Sequence, residues 1–211
     1  MIYNKIMNVA KPFEALSSGV DLDVLVALAS STTPRSGREV ARRAGRSVTG
    51  VQHVLDRLVE HGLVHRLEAG RAFLYSLNRR HLLAPVVERM AEARIELIQR
   101  LRATVDSWRT PPIHASLFGS AARGDGDTGS DIDLFIVRPA EADVDDPGWS
   151  EQVDGLAESV RAWTGNHAGI VEVSADELDE LRGSPQSVIS ELRRDAIDLG
   201  GESARSLLGA L

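Results

Sequence analysis

Residues 130–137 read Ser-Asp-Ile-Asp-Leu-Phe-Ile-Val, an apolar strand that begins with two acids. Side chains alternate along a strand, so Asp131 and Asp133 share one face. Two carboxylates side by side repel, and a fold that keeps them needs something to neutralise them. Magnesium does so, because it takes one or two carboxylates as hard oxygen ligands and completes its shell with phosphates. Manganese suits the same oxygens. Upstream, Ile113–Phe118 is a short apolar strand running into Gly119-Ser120-Ala121-Ala122-Arg123-Gly124. Gly119 lets backbone come close, and Ser120 with the following amides can hold phosphate oxygens at a helix start. Arg123 supplies a positive fork for the same anions.

A helix is predicted over Trp149–Trp163, followed by a strand, Ala168–Ser174, with Glu172 in its middle. An acid in such a strand costs desolvation unless it faces a site, which makes Glu172 the candidate third carboxylate. On an exposed edge strand that penalty disappears. Asp176 and Glu177 read as first-turn acids of the next helix. Ser187–Asp195 reads as a helix, Ala196–Leu199 as a short strand and Ser203–Leu208 as a last turn. Gly124–Gly129 has dinucleotide-binding spacing, but it precedes a strand and carries two acids that repel pyrophosphate. As a calcium loop the same run lacks the required Gly and Glu positions.

Gly119-Ser120, Arg123-Gly124 and Asp131-Ile132-Asp133, in this order and spacing, resemble the nucleotidyltransferase superfamily that includes DNA polymerase β, over about Ile113–Gly201. The resemblance implies a palm-like α/β domain with a mixed sheet. It implies Mg2+ (or Mn2+) held by Asp131, Asp133 and Glu172, with Glu172 also the general base. Gly119, Ser120 and Arg123 then bind the phosphates of a nucleoside triphosphate. The reaction implied is two-metal transfer of a nucleoside monophosphate with release of pyrophosphate.

The front of the chain is built differently. Leu22, Val24, Leu25 and Leu28 mark a short amphipathic helix; Ser36–Glu39 has capping-box spacing for a second, ending at Gly45. A third starts near Ser47 with Val48, Val51, Leu55, Leu58 and Val59 on one face, and stops at Gly62. Leu63–Leu67 and Ala72–Leu77 read as strands around the turn Glu68–Arg71. Residues about 16–78 resemble the winged helix-turn-helix regulators of bacterial transcription, which implies binding to double-stranded DNA. The residues placed for base and phosphate contact are Arg46, Ser47, Thr49, Gln52, His53, Arg57 and Arg71. His53, His61 and His65 do not have the spacing of a compact zinc site.

Between the two, Val86, Val87, Met90, Leu97, Ile98, Leu101, Val105 and Trp108 recur at helical spacing from about Pro85 to Trp108. This predicts a connector rod of about 36 Å, packed on a domain or on its twin in a homodimer. Thr110-Pro111-Pro112 ends it. The expectation is an α+β chain: residues 1–78 a winged helix, 79–110 a connector, 111–211 a nucleotidyltransferase domain. Charge follows that division at +3, +3 and −13, so the basic front suits phosphate backbones and the acidic rear needs cations. Cys is absent, which excludes disulfides and thiolate metal sites. Met1–Ala10 lacks a signal-peptide layout and no run approaches a membrane span, an expectation of a cytoplasmic protein without a membrane partner. The acceptor is left open: a partner protein, an antibiotic, or none, if the rear domain only senses nucleotide for a transcription regulator.

Overall fold

The computed structural model describes residues 19–125, 130–182 and 187–209. Met1–Ala10 and the Gly126–Gly129 part of the glycine run lie outside them. The described chain divides between Ala93 and Arg94 into two compact units. Among the described residues, no helix is long and apolar enough to cross a membrane.

The N-terminal unit comprises α1 (Val20–Ala29), β1 (Arg35–Ser36), α2 (Gly37–Ala44), α3 (Val48–Glu60), β2 (Val64–Ala69), β3 (Ala72–Leu77) and α4 (Ala84–Ala91). Local chemistry fixes the helix ends. Ser36 caps α2 by accepting from the Glu39 amide, and Gly45, at φ +64°, closes it in the left-handed region. Ser47 caps α3 through the Gly50 amide. The apolar face of α3 differs by a residue from the predicted one: Val48 is exposed, and Val54 joins Val51, Leu55 and Leu58 in the core. β2 and β3 pair antiparallel from Val64↔Leu77 to Ala69↔Ala72, leaving Gly70-Arg71 as a two-residue turn. Gly70 has φ +63°, as such hairpin turns require at their first position. β1 pairs with β3, so the sheet order is β1-β3-β2.

The predicted connector rod is two helices. The chain turns at Glu92, and α5 (Ala93–Asp106) begins after it. α4 buries Ala84 and Val87 in the first core, while α5 buries Leu97, Ile98, Leu101 and Val105 in the second. Val86, assigned to the stripe, is exposed.

In the C-terminal unit, α5 is followed by β4 (His114–Leu117), α6 (Gly119–Arg123), β5 (Ile132–Val137), α7 (Pro147–Thr164), β6 (Ala168–Val173), α8 (Ala175–Arg182), α9 (Ser187–Asp195), β7 (Ile197–Gly201) and α10 (Ala204–Leu208). The mixed sheet runs β6-β5-β4-β7, with β5 and β6 parallel and the other pairs antiparallel. β5 is inside and nearly all apolar because both of its faces are covered. Ile132, Leu134 and Ile136 pack with α5 and α7; Phe135 and Val137 pack with Leu178, Ile189, Leu192 and Leu207 from α8, α9 and α10. The long helix α7 makes the parallel crossover to β6, capped by Asp146, whose side chain accepts from the Gly148 and Trp149 amides.

One polar group is set deep in this sheet. His114 is 1% exposed. Its Nδ1 lies 2.6 Å from the Glu202 carbonyl oxygen and its Nε2 2.9 Å from Ser116 Oγ. Burial lowers its pKa, against the raising effect of the Glu202 carbonyl. A depressed histidine adds stability that is present above its unfolded value near 6.5 and is lost as pH falls below it. The melting temperature should therefore drop between pH 7 and pH 5. His114→Gln should lower it at pH 7 and flatten that slope, which a pH series of thermal melts would read.

Candidate active site

The site is built from the junction of β4 with α6, the start of β5, and the facing end of β6. The Phe118 amide donates to the Asp133 carbonyl (3.0 Å), which ties the first two together. Gly119 then adopts φ +67°. A Cβ built there would lie 2.4 Å from Asp133 Oδ2, so both the backbone angle and the space demand glycine. On the other side, a Cβ on Gly169 would lie 3.0 Å from Asp133 Oδ1 and 3.7 Å from Asp131 Cβ. The Asp133 carboxylate thus sits between two glycines, with the exposed Asp131 beside it. Gly169 was not among the predicted site residues. A glycine inside the strand is the signal for it.

Burial raises the Asp133 pKa, and the charges of Asp131 and Glu191 add to the shift while Arg123 opposes it. The hard oxygens of Asp133, in a seat that a Cβ would fill and beside the like charge of Asp131, fit a Mg2+ or Mn2+ site. Arg123 ends α6 next to them and is held by two acids: Nε lies 3.0 Å from Asp125 and Nη1 2.9 Å from Asp195. Asp125 is exposed, whereas Asp195 is 7% exposed. Arg194 first, and then Arg123, hold the Asp195 carboxyl down at about 2 despite its desolvation. Ser120 follows Gly119 in α6 and is half-buried.

Glu172, the predicted third carboxylate, is not brought to this pair. In the parallel register Asp133 stands opposite Gly169 and Ile136 opposite Glu172. Glu172 lies three positions after Gly169, an odd offset, so alternation turns it to the other face of the sheet. There Glu172 Oε1 accepts from Arg138 Nη1 (2.5 Å) and Trp149 Nε1 (2.8 Å). The desolvation that marked Glu172 as functional is offset by an ion pair and an indole. Among the described residues no set of three His, Asp or Glu side chains is gathered closely enough to hold a metal ion.

In the N-terminal unit the predicted DNA contacts are scattered in role. Arg46 pairs with the buried Asp23 (2.5 Å), and Arg57 pairs with Asp21. Gln52 donates to Asp56 and lies 3.0 Å from the Tyr75 hydroxyl, so it braces α3 against β3. Ser47 is spent as the α3 cap. Thr49 and His53 are exposed on α3, and Arg71 is exposed at the hairpin turn.

Residues 98–198 match the family model of the nucleotidyltransferase domain, and residues 18–76 match that of a family designated HVO_A0114. No curated protein matches the chain. Among solved structures, a Sulfolobus solfataricus protein described as a "putative nucleotidyltransferase" aligns with 51% of this chain and 82% of its own, at 17% identity and a TM-score of 0.30. Human N-acetylserotonin methyltransferase in complex with SAM aligns with 46% of this chain and 31% of its own, at 20% identity and a TM-score of 0.29. The chain therefore spans about a third of the methyltransferase's length. The domain match supports a transferase acting by nucleotidyl transfer.

Asp133 and Glu172 should respond oppositely to neutralisation. A carboxyl with a raised folded pKa weakens the fold once pH exceeds its unfolded value, so Asp133→Asn should raise the melting temperature at pH 7. That gain should vanish below about pH 3.9, where the carboxyl is protonated in the unfolded chain as well. Glu172→Gln leaves the Arg138 charge unpaired and should cost about 1.5–3 kcal/mol at neutral pH, the range for a hydrogen bond to a charged group. Denaturant titrations at both pH values would check the two signs.

Proposed function

We propose that the C-terminal unit binds a nucleoside triphosphate with Mg2+ or Mn2+ and transfers its nucleoside monophosphate to an acceptor hydroxyl. The observation that carries this reading is the Asp133 carboxylate seated between Gly119 and Gly169 beside Asp131. When bound, the cations supply charge neutralisation for the phosphates and polarise the reacting oxygens. Asp131 and Asp133 bind those cations through hard oxygens, and their charges fix which end of the nucleotide enters. Gly119 presents backbone at the mouth of α6 without a side chain in the way, and Ser120 follows it with an amide and a hydroxyl. Arg123 keeps its buried partner Asp195 and exchanges the exposed Asp125 for a phosphate oxygen, which a planar, multi-donor guanidinium can do. A partner protein is the acceptor that suits so small a catalytic unit.

The N-terminal unit, in this proposal, is a winged helix that approaches duplex DNA with Thr49 and His53 on α3 and Arg71 at the wing tip. The other cations predicted for that task, Arg46 and Arg57, already carry acidic partners, so affinity leans on the wing. A nucleotide-sensing regulator with little turnover is the second reading. It is favoured by one observation: Glu172 faces away from the aspartate pair.

Incubation of the purified chain with α-labelled nucleoside triphosphates, Mg2+ and a cell extract should place label on an acceptor. Asp131→Asn with Asp133→Asn should abolish that label while the protein stays folded, and labelling that survives the double substitution defeats the assignment. For the other unit, Arg71→Ala should weaken duplex binding about equally on all sequences and reduce the salt slope by about 1. Filter binding across a salt series measures both, and an unchanged slope would remove Arg71 from the contact.

A further inference from the structure

Transfer of a nucleoside monophosphate moves a proton as well as a nucleotidyl group. The acceptor oxygen bonds to the α-phosphorus while the bond from that phosphorus to the β-phosphate's bridging oxygen breaks. Pyrophosphate leaves with the electron pair, and the hydroxyl proton passes to a base. A positioned base typically contributes about 10²–10⁴-fold to such a step.

The strand next to the aspartate pair is the natural source of that base, and its pattern can be read residue by residue. Asp133, Gly169, Val171 and Val173 lie on one face of the sheet, by the register Asp133↔Gly169 and Phe135↔Val171. Gly169 is against the Asp133 carboxylate, and Val173 is buried under α8 and α9. Val171, between them, is 37% exposed. It is the position of β6 that is both on the metal face and open to a substrate, and it carries a side chain with no acid or base chemistry. The neighbouring acid of β6, Glu172, is on the reverse face with Arg138 and Trp149. Glu177 of α8 accepts from the Ser174 amide, and Asp195 is committed to Arg123 and Arg194.

We infer that, among the described residues, no proton acceptor stands on the metal face of β6, because Val171 holds that position, and that transfer waits on a base brought by the acceptor substrate. The inference rests on the aspartate pair being the nucleotide site. Alone, the chain holds nucleotide and turns it over slowly; turnover is gated by the arrival of an acceptor that brings its own base.

The test needs no knowledge of the acceptor, since water can serve as one. Wild type, Val171→Asp, Val171→Glu and the uncharged control Val171→Asn are given Mn2+ with each of the four common ribonucleoside triphosphates. Mn2+ affinity is read by electron paramagnetic resonance, and pyrophosphate release is timed. Wild type and Val171→Asn should bind Mn2+ with nucleotide and release pyrophosphate slowly. At least one acidic variant should bind Mn2+ several-fold more tightly and speed release by about tenfold or more, within the range a general base supplies. Folded acidic variants that bind nucleotide with unchanged Mn2+ affinity and unchanged release would overturn the inference. So would a fast wild-type release that Glu191→Gln abolishes, since Glu191 on α9 would then be the base, or acidic variants that all fail to fold, since the position would then not be open. Absence of any Mn2+–nucleotide binding in the wild type would instead refute the site itself.

Discussion

The seat of Asp133 governs how the C-terminal unit can be made. A charged carboxylate at the head of a buried strand is costly, and here it lies against backbone on both sides, at Gly119 and at Gly169. Those two contacts require the end of β4, the start of β5 and the start of β6 to meet at one point. The sheet order β6-β5-β4-β7 provides that meeting, because β5 is flanked by the two strands that carry or lead into the glycines. Everything else in the unit serves to hold three strand ends in place. α7 carries the crossover that makes β6 parallel to β5, and the two helical layers dry the faces of β5. The repulsion left in the site is a store of free energy that a bound cation can release.

Much of this was legible in the chain itself. Acids at 131 and 133 in a run otherwise apolar, preceded by a strand that ends in Gly-Ser, leave few other arrangements. Helix ends at Ser36, Gly45 and Ser47 were equally plain, since caps are local chemistry. What stayed hidden was non-local. The face of Glu172 depends on which residue of β5 stands opposite it, and register between strands is not written in the alternation along one of them. Likewise, Arg46 and Arg57 looked available because their partners, Asp23 and Asp21, lie on α1, far back in the chain.

The mismatch at Glu172 also shows what desolvation can and cannot say. A charge inside a strand must be compensated, but compensation by Arg138 and Trp149 is as good as compensation by a metal. The same holds in the N-terminal unit, where Gln52 spends its amide on Asp56 and Tyr75. Polar groups on a strand or helix face are evidence of a partner, and the partner can be structural.

The break at Glu92 bears on the order of events as the chain is made. One continuous rod shared by two cores would have left the first core unfinished until the second was present. With α4 and α5 separate, Ala84 and Val87 complete the N-terminal core from residues already synthesised, while Leu97, Leu101 and Val105 await β4 and β5. Folding can therefore proceed unit by unit from the front, as domains generally do during synthesis. The apolar surface exposed at any moment is then that of one small domain, which limits the chance of misassembly before the chain is whole.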